Sequence, residues 1–210
     1  MNIAMIGATG LVGRQLWPLL AKRGELLVLG RHKSGAVREK LGKMAAWPGL
    51  LSGEPVDVAI STLGSTRKAA GSWDAFVAVD RDALLAFARA ARNAGASQFI
   101  TVSSVGADPH SKSAYLRLKG EIERALADIG FDRLDIVRPG LLLGKRDGPP
   151  RIFEQLSARL SPLLNPLLRG PLDRYAAIDS ACVAIAMAAL VGAQPSGHFV
   201  HENNAIRSPV

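Results

Sequence analysis

The feature that most constrains this chain is a glycine-rich turn that directly follows an apolar run. Gly7, Gly10 and Gly13 have the spacing G-x-x-G-x-x-G after the run Ile3–Ile6, and an amphipathic stretch follows them. Gly7 suits a tight turn, Gly10 lets the backbone approach a pyrophosphate, and Gly13 lets a helix pack closely on the strand. Backbone N–H groups at the start of that helix bind phosphate. The pattern therefore predicts a dinucleotide site, with a purely structural turn as the alternative.

Strand-like and helix-like segments alternate along the rest of the chain. This alternation predicts parallel strands joined by right-handed crossovers. We therefore expect one α/β domain over residues 1–210, with a doubly wound parallel sheet of the Rossmann type. Strands are predicted at Asn2–Ile6, Glu25–Leu29, Val37–Leu41, Val56–Ser61, Gln98–Ser103, Leu134–Val137 and Tyr175–Ile178, and helices at Leu11–Lys22, Asp80–Ala94, Ala114–Ile129 and from the N-cap Asp179 onwards.

Residues 145–173 depart from this alternation. Prolines and apolar pairs dominate the segment, and Arg151–Leu160 has the pattern of an amphipathic helix. Because the segment follows the last strand on the cofactor side, we expect an apolar lid beside a substrate pocket. A homodimer contact or plain surface packing is the alternative.

Composition and charge argue against a nucleic-acid-binding, disulfide-bonded, secreted or membrane-spanning protein. The net charge is +8, but the basic residues are dispersed and few aromatic residues lie among them. This pattern favours a phosphorylated cofactor and a solvated basic face over a nucleic-acid partner. The single cysteine, Cys182, cannot form an internal disulfide and is expected to be a buried small residue. With neither a signal peptide nor a membrane span apparent, we expect a cytoplasmic protein without a metal site.

The residue after the second predicted strand indicates which dinucleotide is bound. An acidic residue about 20 positions beyond the glycines would accept hydrogen bonds from a ribose 2′-hydroxyl. This chain has Arg31 there instead, within Gly30–Lys33. A guanidinium suits a 2′-phosphate. Arg31 therefore favours NADP(H) over NAD(H), with an exposed basic turn as the alternative.

A tyrosine and a lysine one helical turn apart form a candidate catalytic pair. Tyr115 and Lys119 lie at positions i and i+4 of a predicted helix, so both side chains project from one face. A lysine cation stabilises a phenolate and so makes the phenol usable in proton transfer. Ser103 and Ser104 end a predicted strand at the edge where strand ends meet a cofactor. A serine hydroxyl there could orient a substrate carbonyl beside Tyr115.

Taken together, these residues resemble the short-chain dehydrogenase/reductase superfamily, in its atypical or extended branch. The superfamily motifs are Gly7–Gly13, Val102–Val105, Tyr115-x-x-x-Lys119 and Arg138–Gly140. A second set of motifs comprises Ser61–Arg67, Val79–Asp82, Ser103–Asp108 and Leu118–Glu121. In these motifs the chain is more closely similar to the Tat-interactive-protein family of NADP-binding proteins and its bacterial relatives.

The resemblance implies a role for each candidate residue. Tyr115 would be the general acid/base, and Lys119 would hold the nicotinamide ribose. Ser104, in preference to Ser103, would fix the carbonyl oxygen. The residues implied to seat NADP(H) are Gly7, Thr9, Gly10, Leu11 and Val12, with Leu63 and Gly64 on the adenosine side and Pro139 and Gly140 near the nicotinamide.

Two functions remain open at this point. The first is an NADPH-dependent reductase of a small carbonyl substrate. The second is a non-catalytic NADP(H)-binding regulator that acts through a protein partner. Tyr115 and Lys119 favour the enzyme. The interval from Ser104 to Tyr115 is short for the superfamily, and Thr62–Gly64 replaces its asparagine-containing turn, so the regulator is kept as the alternative.

Overall fold

A seven-stranded parallel sheet organises the part of the chain that the computed structural model describes, residues 1–65, 70–144 and 170–208. Its strands alternate with helices, as the sequence predicts. The strands of the sheet are β1 Asn2–Ile6, β2 Glu25–Gly30, β3 Glu39–Leu41, β4 Val58–Ser61, β5 Gln98–Val102, β6 Arg133–Val137 and β9 Gly197–His201. Two further strands, β7 Leu142–Leu143 and β8 Ile178–Asp179, pair with each other in a separate two-stranded sheet. The helices are α1 Gly13–Leu20, α2 Trp47–Leu50, α3 Trp73–Val77, α4 Leu84–Asn93, α5 Ala114–Ala127, α6 Ser180–Ala189 and α7 Asn203–Arg207.

The strand order places a crevice at the carboxyl ends of β1 and β4. The order is β3-β2-β1-β4-β5-β6-β9, and every neighbouring pair is parallel. The chain moves outward from β1 to β3 and then returns to the other side of β1 with β4. Ligands of doubly wound sheets bind where the winding direction reverses. The predicted Rossmann-type fold is confirmed.

Successive residues of the central strands supply two separate cores. In β1, Ala4 and Ile6 pack under α2, α4 and α5, whereas Ile3 and Met5 pack under α1 and α6. Burial on both faces explains why the central strands are continuous apolar runs. The two helical layers hold the sheet rigid and leave its carboxyl edge free for the site.

The helix predicted at Asp80–Ala94 begins earlier and is interrupted. It starts at Trp73, where the Ser72 hydroxyl caps α3 by accepting the Ala75 N–H at 3.1 Å. A π-helical turn, Ala78–Ala83, then joins α3 to α4. A π turn inserts one extra residue, which breaks the 3.6-residue periodicity on which the sequence prediction depends.

The carboxyl-terminal part of the chain differs most from the prediction. The predicted strand Tyr175–Ile178 is wrong, because Tyr175 ends a 3-10 turn and only Ile178–Asp179 pairs with β7. Strand β9 and helix α7 were not predicted, since the half-buried β9 lacks a long apolar run. Asp179 does cap α6, and its carboxylate accepts the Ala181 N–H at 2.7 Å.

Three smaller expectations concern Cys182, the predicted lid and membrane-spanning helices. Cys182 is only partly buried at the edge of the α1–α6 core, because it lies near the outer face of α6. Most of the predicted lid 145–173, including the predicted helix at 151–160, lies outside the described residues. None of the helices in the described ranges has the length and apolar character needed to cross a membrane.

Candidate active site

The glycine turn after β1 is shaped by close backbone packing. Gly7 has a φ of +85°, and a Cβ atom there would lie 2.6 Å from the Leu63 nitrogen. A Cβ on Gly13 would lie 2.1 Å from the Gly7 carbonyl oxygen, whereas one on Gly10 would lie 3.2 Å from the same atom. Gly7 and Gly13 are therefore required by the fold itself, and Gly10 is the least restricted of the three.

The start of α1 presents unpaired backbone donors beside this turn. Gly10 closes the turn by donating to the Gly7 carbonyl at 2.9 Å and accepts the Arg14 N–H at 3.0 Å. No side chain caps the helix, and within the described ranges the N–H groups of Leu11 and Val12 have no hydrogen-bond partner. Free N–H groups at a helix start attract phosphate through hydrogen bonding and the helix dipole.

A cleft of about 440 Å³ opens over the carboxyl ends of β1, β2 and β4. Arg31 lies at the end of β2, is exposed, and makes no ion pair with a described residue. A smaller recess continues from the cleft between Gly30 and Trp47. The cleft is lined by Gly7, Thr9, Gly10, Arg31, Met44, Thr62, Leu63, Gly64, Ser65, Ala70, Ala75, Ala78 and Val79.

Four predicted cofactor residues do not present side chains to this cleft, namely Leu11, Val12, Lys119 and Pro139. The side chains of Leu11 and Val12 are buried behind the glycine turn, so only their backbone N–H groups can serve a ligand. Pro139 is buried in the loop after β6 and lies outside the cleft lining. Its carbonyl accepts the Val105 N–H at 3.1 Å, which joins that loop to the loop after β5.

Tyr115 and Lys119 lie one turn apart near the start of α5. The Tyr115 side chain is 40% exposed, and its ring packs 6.0 Å from that of Phe76, centre to centre. The Lys119 Nζ lies 6.0 Å from the centre of the Tyr115 ring. Among the described residues, the Tyr115 hydroxyl has no hydrogen-bond partner, so it is available to a ligand.

Lys119 is held by a buried carboxylate that the sequence interpretation missed. Its Nζ lies 2.8 Å from Asp80 Oδ1, and the two side chains are 6% and 1% exposed. The second carboxylate oxygen, Oδ2, accepts the N–H of Ser65 in the cleft lining at 2.8 Å. The motif Val79–Asp82 contained this residue, but its pairing with a lysine 39 positions away is visible only in the structure.

The two adjacent serines after β5 have different environments. Ser103 donates from its hydroxyl to Glu123 Oε1, and Arg138 donates from Nε to the same oxygen at 3.0 Å. Hydrogen bonding to Glu123 raises the pKa of the Arg138 guanidinium against the opposing effect of burial. Among the described residues, the Ser104 hydroxyl has only a long contact, 3.4 Å, to the Val105 carbonyl. The Ser104 hydroxyl is therefore the one free to meet a substrate.

The loop after β6 is clamped by an asparagine that the sequence did not indicate. Asn203 is fully buried, and its Oδ1 accepts the Gly140 N–H at 2.9 Å. Its amide donates to the carbonyls of Asp173 and Ala176 at 2.9 and 2.7 Å. This bonding ties α7 and the turn before β8 to the loop that the resemblance places near the nicotinamide.

Solved structures share this fold at low sequence identity. MoeE5 in complex with UDP-glucuronic acid and NAD aligns with a TM-score of 0.72 and 15% identity, over 95% of this chain and 75% of MoeE5. UDP-glucose 4-epimerase from Thermotoga maritima, with UDP-glucose, aligns with a TM-score of 0.70 and 13% identity, over 96% of this chain and 77% of the epimerase. The Bordetella bronchiseptica enzyme WbmH with NAD⁺ aligns with a TM-score of 0.69 and 15% identity, over 96% of this chain and 75% of WbmH. These neighbours are Rossmann-type enzymes and establish the fold alone.

Curated relatives are much closer in sequence and change one expectation. No family model matches the chain. The mitochondrial protein fmp52 of Emericella nidulans is 33% identical over 93% of this chain and 91% of its own length. The mitochondrial protein FMP52 of Saccharomyces cerevisiae is 37% identical over 70% of this chain and 68% of its own length. Both names include a mitochondrial location, so the expected cytoplasmic location is contradicted. That expectation relied on the single cysteine, Cys182, and a single cysteine does not distinguish one reducing compartment from another. With this identity over nearly its whole length, the chain belongs to the Fmp52 protein family.

Proposed function

We propose that the protein is an NADP(H)-binding oxidoreductase of the short-chain dehydrogenase type that reduces a small carbonyl substrate. One observation carries the proposal: Asp80 binds both Ser65, in the lining of the glycine cleft, and Lys119, on the helix of Tyr115. These bonds support the view that the candidate dinucleotide cleft and the candidate catalytic pair belong to one site. The resemblance to the Tat-interactive-protein family is consistent with the same function.

The cleft residues fit a dinucleotide. The unpaired N–H groups of Leu11 and Val12 would bind a pyrophosphate, and the lack of a side chain on Gly10 would let it approach the backbone. The MoeE5 and WbmH structures contain NAD, which supports a nicotinamide dinucleotide in this fold. Arg31, exposed and without an ion-pair partner in the described ranges, would bind the 2′-phosphate that distinguishes NADP(H).

The chain's own residues would then position and protonate the substrate. A bound nicotinamide supplies the hydride, and the protein supplies orientation and the proton. Ser104 would donate a hydrogen bond to the carbonyl oxygen, and the free hydroxyl of Tyr115 would give its proton to the same oxygen as charge develops there. Lys119 would hold the nicotinamide ribose beside them.

A screen of aldehydes and ketones that follows NADPH absorbance tests this function. With any active substrate, Tyr115→Phe should lower turnover by about two to four orders of magnitude, because the ring remains but the proton donor is lost. Tyr175→Phe is the matched control, since Tyr175 is the second tyrosine and is similarly exposed at 44%. A Tyr115→Phe variant with unchanged turnover would reject the mechanism.

The same screen separates the enzyme from the regulator. Tight NADPH binding without turnover of any carbonyl compound would favour a cofactor-dependent regulator of a protein partner. Both functions need the dinucleotide cleft, so cofactor binding by itself does not distinguish them. Dependence of turnover on Tyr115 does, because a regulator has no use for a positioned proton donor.

A further inference from the structure

The ion pair between Asp80 and Lys119 is costly for a fold to keep. Both side chains are almost completely buried, and removing two charges from water is costly before their attraction is counted. Well-packed apolar side chains of similar volume are often as stable as such a pair. The buried pair of Asp80 and Lys119 is therefore expected to have a role beyond packing.

The position of Asp80 in the chain points to the cleft. Asp80 is a buried residue of the π-helical turn Ala78–Ala83, and single π turns occur frequently at functional sites. Ala78 and Val79, immediately before it, line the cleft. A Cβ atom on Gly64 would lie 4.0 Å from Asp80 Oδ1, so the carboxylate lies directly beneath the loop after β4.

The two oxygens of Asp80 divide their bonds between two elements of the site. Oδ1 binds the Lys119 ammonium on α5, and Oδ2 binds the Ser65 N–H in the loop that lines the cleft. Within the described residues, Asp80 is the only carboxylate at ion-pair distance from Lys119. One rigid side chain therefore determines where the lysine lies relative to the cleft.

We infer that Asp80 is a positioning residue that holds Lys119 at the nicotinamide-ribose end of the dinucleotide site. Lys119 has three N–H donors, and the bond to Asp80 uses one of them and leaves two for the ribose hydroxyls. Without the charge of Asp80, the flexible lysine stem loses its anchor, whereas an asparagine at this position would still offer an amide oxygen to the Ser65 N–H. The inference rests on the proposed function, because it assumes that a dinucleotide occupies the cleft.

The test compares two ligands by calorimetry. NADPH contains the nicotinamide ribose, whereas 2′-phosphoadenosine 5′-diphosphate keeps the adenosine half and lacks that ribose. Asp80→Asn keeps the shape of the side chain and removes its charge. We expect Asp80→Asn to weaken NADPH binding about tenfold or more, as for loss of a charged contact, and to leave the affinity for the fragment unchanged.

A double-mutant cycle with Lys119→Met assigns the effect to the pair. The Asp80→Asn/Lys119→Met variant should bind NADPH no more weakly than Lys119→Met alone, because Asp80 acts through the lysine. Removal of both charges also leaves no unpaired buried ion, so the double variant should fold. If Asp80→Asn fails to fold, Asp80→Glu serves instead: it keeps the charge but displaces it, and should weaken NADPH and spare the fragment.

The outcomes separate this inference from the proposed function. Equal losses of NADPH and fragment affinity, or no loss of either in a folded variant of lower stability, would show a merely structural Asp80 and overturn the inference. Additive effects in the cycle would overturn it too. A wild-type protein that binds neither ligand would refute the proposed function, and the inference with it.

Discussion

The hydroxyl of Ser103 donates to the buried carboxylate of Glu123, which commits this serine to the structure. The neighbouring Ser104 has no comparable partner among the described residues, so it is the serine available to a carbonyl oxygen. We expect Ser104→Ala to lower turnover by about two orders of magnitude, the typical effect of losing one positioned donor. Steady-state kinetics on a carbonyl substrate measure the effect.

Ser103→Ala is the matched control for that experiment. It removes the same hydroxyl from the adjacent position and leaves Arg138 to satisfy Glu123, so stability should fall by about 1 kcal/mol while turnover changes little. If Ser103→Ala were the variant that lost turnover, the assignment of the two serines would be reversed.

Gly10 and Gly13 should respond differently to substitution. Gly10→Val should abolish NADPH binding and leave the fold largely intact, since its side chain occupies the approach of the pyrophosphate rather than the core. In Gly13→Ala, the new Cβ would meet the Gly7 carbonyl at 2.1 Å, so we expect about 3 kcal/mol of destabilisation. Calorimetry and urea unfolding measure the two effects. Normal NADPH binding by Gly10→Val would refute the phosphate turn.

Arg31 should determine the choice between the two nicotinamide cofactors. Arg31→Ala should narrow the preference for NADPH over NADH by about 1–3 kcal/mol, the value of a charge-assisted contact. Lys33→Ala is the control, because this exposed basic residue lies two positions on and outside the cleft lining. Equal effects of the two variants would indicate a general influence of positive charge and not a specific phosphate contact.

Stability should fall in acid because of Asp135, a buried residue of β6 between β5 and β9. Burial alone would raise the pKa of the Asp135 carboxyl, but hydrogen bonds from His201, Arg133 and Gln98 outweigh burial and lower it. A folded pKa below the unfolded one gives stability that is present above the unfolded value, about pH 4, and lost as pH falls through the folded value.

Asp135→Asn tests the origin of this acid sensitivity. Urea unfolding of wild type and variant should differ most near neutral pH, and the difference in unfolding free energy should shrink below about pH 4. A difference that is constant across this range would mean that the charge of Asp135 does not contribute to stability.

Local patterns predicted the parts of the molecule that depend on neighbouring residues. The apolar run of β1, the glycine turn and the cap at Asp179 each have their cause within a few positions, so the sequence alone indicates them. The bonds of Lys119 to Asp80 and of Gly140 to Asn203 join residues 39 and 63 positions apart. Such pairs depend on how the elements pack, and neither partner is marked by its neighbours in the chain.

The chemistry of the site was predictable only in part for the same reason. Spacing on a helix indicated that Tyr115 and Lys119 share a face, but not that Lys119 is buried against a carboxylate. The adjacent serines have identical side chains, and only the approach of Glu123 distinguishes them. Composition did not indicate the mitochondrial location named for the relatives.

Calorimetric titration of the unmodified protein with NADPH, and with NADH as the matched ligand, tests most directly whether this cleft is a site for a phosphorylated dinucleotide. We expect one NADPH per chain, bound more tightly than NADH by about 1–3 kcal/mol because of Arg31. Equal affinity for the two would contradict the NADP(H) preference, and no binding of either would contradict the dinucleotide site itself.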